Sequence, residues 1–308
     1  MEQRAGVVEI TYLIANYNCG EYIRECLESL QQQTRPDWRA LIVDDASSDA
    51  SLEIIRPLLS EKIRLLLNEQ NLGYVATLRR LIDNAPTDIV GILDADDALS
   101  PRATEAILRA YETYPGAGFV YSRFGIFDER LEVCRRLSGS RIPPHRTSLE
   151  EGFASHLKTF RRSVYRRTEG LDDSMLYAED RDLVYKLEEV TTPVFVDEVL
   201  YKYRDVRRSQ SREPAKRETG ARNHLRARRR ALKRRQVSRL NRLYHSLVFQ
   251  SDYICYSDHY PVYLQRPIGV IVKLLEGIDR YLHIRRPGTL RRGDPLPEPQ
   301  PVSARASE

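Results

Sequence analysis

Three aspartates stand within four residues at Asp94-Ala95-Asp96-Asp97, directly after the apolar run Gly91-Ile92-Leu93. Like charges this close repel, so something must compensate for them. Two carboxylates spaced Asp-x-Asp at the end of a strand can share one hard cation. Mg²⁺ and Mn²⁺ take oxygen ligands and commonly share them with phosphates. Taken alone, so short a motif is matched equally by a solvated loop of helix-capping aspartates. A second acidic group, Ala178-Glu179-Asp180-Arg181-Asp182, precedes Leu183, Leu187 and Val190 at helical spacing. A carboxylate there can serve as a general base, or it can simply suit the positive end of a helix dipole.

The elements that must position these groups alternate. Val8–Ala15, Arg39–Val43, Ile63–Leu67 and Asp88–Leu93 are short aliphatic and β-branched runs that read as buried strands. Between them Tyr22–Leu30, Leu52–Leu59 and Tyr74–Asn84 carry helical spacing, with Ser47 and Ser48 as expected N-caps of the second helix and Pro101 opening a further one to Tyr114. Strand–helix alternation of this kind implies an α/β fold, a parallel sheet with helices on both faces. Ligands of such sheets bind beyond the carboxyl ends of the strands. The four strand ends run into Ala15-Asn16-Tyr17-Asn18, Asp44-Asp45, Asn68 to Gly73, and Asp94 to Asp97. All four land on one rim, and that shared position favours the cation reading.

The chain of 308 residues, 41% hydrophobic, is long enough for one large domain or one domain with an appendage. It has no apolar run of membrane-spanning length and no secretory signal near Met1, so a cytoplasmic location is expected. Cys19, Cys26, Cys134 and Cys255 form no Cys-x-x-Cys pair, which argues against structural zinc and a disulfide framework. The net charge of +5 hides an asymmetry: residues 207–242 carry fifteen Lys and Arg against two acids, so the remainder is acidic.

Five stretches in order, "YLIANYN" (12–18), "LIVDDASSDAS" (41–51), "NLGY" (71–74), "LDADD" (93–97) and "YAEDRDL" (177–183), resemble the family 2 glycosyltransferases over about the first 210 residues. The resemblance implies the GT-A fold, a Rossmann-like, mostly parallel sheet flanked by helices. It also implies transfer of a sugar, with inversion, from a nucleotide diphosphate sugar to a hydroxyl acceptor, a carbohydrate or a lipid-linked molecule. UDP-sugars are the favoured donors, with GDP and dTDP sugars open. By the same resemblance Ala15 and Tyr17 hold the nucleobase, the tyrosine by stacking, with Asn18 and Gly73 beside them on the rim. Asp45 reads a base N–H, a role Asp44 can exchange with it. Asp94 lies near the ribose, Asp96 ligates Mg²⁺ or Mn²⁺ together with Asp94, and Asp97 stands behind them. Asp180 is the implied base, with Glu179 positioning it or the acceptor. Arg161 and Arg162 are weaker candidates for phosphate contact. Relatives carry a histidine where Val206 stands in Tyr203-Arg204-Asp205-Val206, which leaves the third protein ligand open; Arg207 or Arg208 is a substitute source of charge.

The expected organisation is a catalytic domain over 1–211, a basic amphipathic helical extension over 212–290 (helices at Arg222–Leu247 and Pro267–Leu282), and a proline-rich disordered tail over 291–308. The basic extension fits contact with an anionic membrane surface, at the inner face of the cell membrane, or packing against the catalytic domain or a second subunit. No stacking or helix-turn-helix pattern supports specific nucleic-acid binding, and the sequence leaves the oligomeric state open. The competing functions are a nucleotidyltransferase, which would need a glycine-rich phosphate loop that Asn16 to Gly20 does not provide, and a non-catalytic nucleotide-sugar-binding relative.

Overall fold

The computed structural model of the chain describes residues 8–143, 147–149, 154–206 and 214–237. Its first half is β1 (Ile10–Asn16), α1 (Ile23–Gln31), β2 (Trp38–Asp44), α2 (Ser51–Ile55), β3 (Ile63–Leu67), α3 (Tyr74–Asn84) and β4 (Ile89–Ile92). The second half is β5 (Ala98–Leu99), α4 (Ala103–Thr113), β6 (Phe119–Phe127), β7 (Cys134–Ser138), β8 (Thr159–Arg161), α5 (Arg162–Tyr165), α6 (Glu179–Glu188), β9 (Pro193–Arg204) and α7 (Pro214–Arg234).

One sheet runs β3-β2-β1-β4-β8-β6-β9-β5, with β7 paired to β6. The first four strands are parallel. Beyond β4 the sheet is mixed: β8 is antiparallel to both β4 and β6, β9 is parallel to β6, and β5 is antiparallel to β9. Along β1, Ile10, Tyr12 and Ile14 enter one core while Leu13 enters the other, the period of two that a strand imposes. Helices α1, α2 and α4 cover the first face and α3, α5 and α6 the second. Coverage on both faces is why these strands read as continuous apolar runs.

Several local expectations shift. The helix expected over Leu52–Leu59 is α2 followed by a 3₁₀ turn, Arg56–Leu58. Pro57 has no N–H to continue the helix and its ring crowds the preceding turn. Ser47 and Ser48 are not caps of α2: the N-cap is Ala50, with no side-chain cap, and both serines bond to the rim instead. Pro101 precedes α4 by two residues. The first basic helix begins at Pro214 rather than Arg222, with proline at its opening position where a missing N–H costs nothing. Its Leu225, Ala227, Ala231 and Leu232 bury with Val237 against Leu149, Met175 and Tyr185. The expected helix over Pro267–Leu282 and the tail over 291–308 lie outside the described residues, as do Arg207 and Arg208. Among the described residues no helix is long and apolar enough to cross a membrane, and Cys19, Cys26 and Cys134 are free thiols.

Candidate active site

The carboxyl ends of β1, β2 and β4 lie side by side because the register aligns them: Asn16 pairs with Asp44 and Leu13 with Ile92. The Asp44 carboxylate is 1% exposed and accepts from Asn16 Nδ2 (2.7 Å), the Ser47 N–H (2.9 Å) and Ser47 Oγ (2.6 Å). Its capacity is used in holding the turn. The Asp45 carboxylate accepts from Asn68 Nδ2 (2.6 Å) and from the N–H groups of Leu72 (2.8 Å) and Gly73 (2.9 Å). It therefore pins the 68–73 loop to the rim. Gly73 has φ +83°, a left-handed conformation that glycine adopts without strain. Asn18 accepts from the Ser48 N–H at 2.8 Å and itself has φ +53°, as asparagine tolerates. These ties leave Tyr17, 44% exposed, with an open ring face at the rim, and Ala15 half-buried beside it.

The aspartate cluster is compensated unequally. Asp97 is buried and accepts from the Arg204 N–H (2.7 Å) and Tyr201 Oη (2.7 Å). Tyr201 Oη in turn accepts from the Asp94 N–H at 3.1 Å. Arg204, 3% exposed, donates from Nε to the Asp96 carbonyl (2.6 Å), from Nη2 to Glu25 (2.6 Å), and from Nη1 to the Glu129 carbonyl, with its guanidinium over the Tyr22 ring. The loop is thus clamped from β9. The Asp94 carboxylate has weaker contacts, Tyr201 Oη at 3.2 Å and Tyr74 Oη at 3.4 Å. Among the described residues no neighbouring side chain hydrogen-bonds the Asp96 carboxylate. Burial, then the Asp94 charge, pushes it up to about 6. Burial also raises Asp94 and Asp97. The positive charges near Asp94 and Asp96, Lys158 and Arg204, do not offset their burial, and this donor set, two carboxylates of which one has no side-chain partner among the described residues, fits a divalent cation. No cluster of three or more His, Cys, Asp or Glu forms a closed metal cage among the described residues. Two carboxylates would leave an ion's remaining positions to phosphate oxygens and water.

Helix α6 brings the second acidic group to the same place. Glu179 and Asp180 are its first residues, and Tyr177 before them is held at φ +63°. Burial, and then Asp180, pushes Glu179 up to about 7, and its Oε2 is buried without a partner. Asp180 behaves oppositely. Burial alone would raise it, but Lys158, Arg181 and His156 outweigh that and hold it below the usual carboxylate range. Two adjacent carboxyls pushed apart in this way form a neutral–ionised pair near neutral pH. Asp182, the third acid of the motif, is 2% exposed and salt-bridged to Lys186 at 2.6 Å, so it is a packing group.

Arg161 and Arg162 are not phosphate ligands. Arg161 reaches the Ala117 carbonyl and Asp88, and Arg162 the carbonyls of Ala85, Thr87 and Asp83, at the amino end of β4 and away from the rim. Val206, where the resemblance implies histidine, is 7% exposed. Conversely, Tyr74, His156, Lys158, Tyr201 and Arg204 all work at the site without a role assigned from sequence. Tyr201 and Arg204 sit on β9 opposite the loop they clamp. Tyr201 shows only the "YKYR" run, which looks like any alternating strand; Arg204 stands in the stretch that resembles the family's, but with no role attached.

The family description "Glycosyl transferase family 2" matches residues 11–169, just over half the chain. The chain is 26% identical over 193 residues to the chondroitin synthase of Escherichia coli, covering 62% of this chain and 28% of that protein. It therefore spans about a quarter of that relative's length. Among solved structures, S. aureus TarS 1-349 in complex with UDP-GlcNAc superposes with a TM-score of 0.57 at 15% identity, covering 89% of this chain and 92% of that one. The mannosyltransferase PcManGT from Pyrobaculum calidifontis, in complex with GDP-Man and Mn²⁺, gives a TM-score of 0.54 at 16% identity over 89% of this chain and 81% of that one. At these identities the structures share the fold.

Proposed function

The chain belongs to the family 2 glycosyltransferases, and from that premise we propose that it moves a sugar from a nucleotide diphosphate sugar, a UDP-sugar in the first instance, to an acceptor hydroxyl with inversion. The acceptor is a carbohydrate or a lipid-linked molecule of surface polysaccharide or glycolipid synthesis. The observation that carries the reading is the convergence of Asp94 and Asp96, the latter without a side-chain partner among the described residues, with Asp180, an ionised carboxylate delivered by a different element. UDP-GlcNAc in the TarS complex and the polysaccharide-making relative support the donor and the product class. GDP-Man with Mn²⁺ in PcManGT supports a divalent ion and keeps the base open.

In this reading the Tyr17 ring stacks on the base, Asp45 and Asp44 fix the walls of the base pocket, and Asn18 and Gly73 lend backbone shape to it. Asp94 and Asp96 would hold Mg²⁺ or Mn²⁺, which, when bound, neutralises charge on the departing diphosphate. Asp180 accepts the proton of the attacking hydroxyl. One base and no covalent intermediate suffice for inversion. Glu179 beside it, pushed up to about 7, can donate a hydrogen bond to the acceptor while it holds its proton. Asp180→Asn should lower transfer by about 10²–10⁴-fold while nucleotide affinity stays within a few-fold. Donor consumption and nucleotide titration on the same protein check this. Unchanged turnover in that variant would remove Asp180 from the chemistry.

A further inference from the structure

We propose that Lys158 is the positioning residue of this site: its buried ammonium faces Asp180, orients that carboxylate and balances its charge. The proposal rests on the reading of Asp180 as the base.

Its location is fixed by the sheet. Lys158 immediately precedes β8, and the Ile92 N–H donates to the Lys158 carbonyl at 3.0 Å. Its backbone therefore lies against the last residue of β4, two residues before Asp94. Lys158 is 4% exposed; Nζ donates to the Ser155 carbonyl at 2.5 Å and reaches Asp180 Oδ2 at 3.4 Å. A lysine buried this deeply is costly unless opposite charge faces it, and the carboxylates that feel its charge are Asp180 and Asp94.

A second lysine–aspartate pair against the same helix shows what a purely structural pair looks like here. Lys186 and Asp182 are 2.6 Å apart with side chains 3% and 2% exposed, and Lys186 Nζ also donates to the Gly170 carbonyl. That pair is short and closed on both sides. The Lys158–Asp180 pair is longer, and the Asp180 side chain is 40% exposed. Its cation is sealed in the protein and its anion opens onto the site, so the lysine can hold the carboxylate without occupying the side that meets an acceptor.

The groups facing Asp180 come from several elements. Glu179 and Arg181 share its helix, His156 and Lys158 lie before β8, Asp94 follows β4, Tyr74 opens α3 and His224 lies on α7. Against the burial that raises Asp180, Lys158 is the largest opposing influence, ahead of Arg181 and His156. Without Lys158, burial and the neighbouring acids dominate, the carboxyl climbs, and its ionised form is lost progressively as pH falls.

The test is carbon-13 NMR of the full chain labelled at aspartate Cγ, with the Asp180 signal identified from Asp180→Asn. In Lys158→Met, which keeps the stem packed and removes the ammonium from both Asp180 and the Ser155 carbonyl, Asp180 should titrate at least one unit higher. That is a tenfold change in its ionisation equilibrium. Lys158→Arg should restore the wild-type titration, and UDP affinity should remain within about threefold of wild type in both, which also verifies folding. With UDP-GlcNAc and Mn²⁺, UDP release by Lys158→Met should fall more at pH 6 than at pH 8. An Asp180 titration that does not move in Lys158→Met overturns the proposal. So does an equal shift in Lys158→Arg. If the titration moves as expected but Asp180→Asn keeps full turnover, the base reading fails while the pairing stands. Should Lys158→Met not fold, Lys158→Gln takes its place with the same expectations.

Discussion

At Asp96 and Glu179 burial works in the same direction on two carboxyls with different futures. Among the described residues no side chain bonds the Asp96 carboxylate, and the charge of Arg204 offsets its burial only in part. Glu179 has no partner for Oε2 and resolves its burial by keeping a proton up to about pH 7. A carboxyl raised in the folded state binds its proton more tightly there than in the unfolded chain. Stability therefore falls as pH rises from the unfolded value toward about 7 and stays lowered above it. Glu179→Gln removes that loss: its melting temperature should exceed the wild type's by several degrees at pH 8 and match it at pH 4, as read by calorimetry across pH. Equal melting temperatures at pH 8 would contradict a Glu179 carboxyl raised by burial. The acids were legible in the sequence because an aspartate after an apolar run is conspicuous. The contacts of Lys158 and Arg204 were not, because a cation near a strand looks like surface until the topology places it beside acids that are 22 and 179 residues away.

At the scale of elements, β4 and α6 deliver the acids, and α7 holds α6 in place. The Asn223 side chain donates to the Leu176 carbonyl at 2.9 Å, Arg226 reaches the Ser174 carbonyl, and His224 bonds Tyr185 Oη at 2.7 Å. A Cβ on Gly220 would lie 3.0 Å from the Tyr177 carbonyl oxygen. The helix therefore presses its backbone against the strained residue that leads into Glu179 and Asp180. Gly220→Val must push that loop aside. Displacing a base by a fraction of an ångström is expensive, so turnover should drop by about tenfold or more while UDP affinity is unchanged. An unaltered turnover would show that α7 and the motif loop are independent. The helical period of α7 was readable, but its start and its partner were not. Its apolar stripe is sparse, and what it packs against is a loop some 45 residues upstream rather than a neighbour in sequence.

For the whole molecule, the division into an acidic body and a basic segment resolves, within the described residues, into contacts between the two. Arg230 pairs with Asp172, Arg234 with Glu189, and Arg235 with Glu188, the last pair 2% exposed on both sides. Breaking a buried pair from one side costs about 3–5 kcal/mol, a large share of the roughly 5–15 kcal/mol that holds a domain folded. A chain ending at residue 211 should therefore melt about 10 °C or more below the full chain, and an unchanged melting temperature would show that the body stands without α7. The parallel half of the sheet was legible because strand and helix alternate there. The mixed half was not, since β5 and β8 are two- and three-residue strands and β5, β8 and β9 find partners across long sequence separations out of chain order. Donor binding at the rim is measured by titration calorimetry of the full chain with UDP, GDP and dTDP, each with and without Mn²⁺. One nucleotide should bind, with an affinity that rises with Mn²⁺ in the wild type and loses that dependence in Asp96→Asn. No binding by the folded protein, or a Mn²⁺ effect that survives in Asp96→Asn, would contradict a donor site at Asp94 and Asp96.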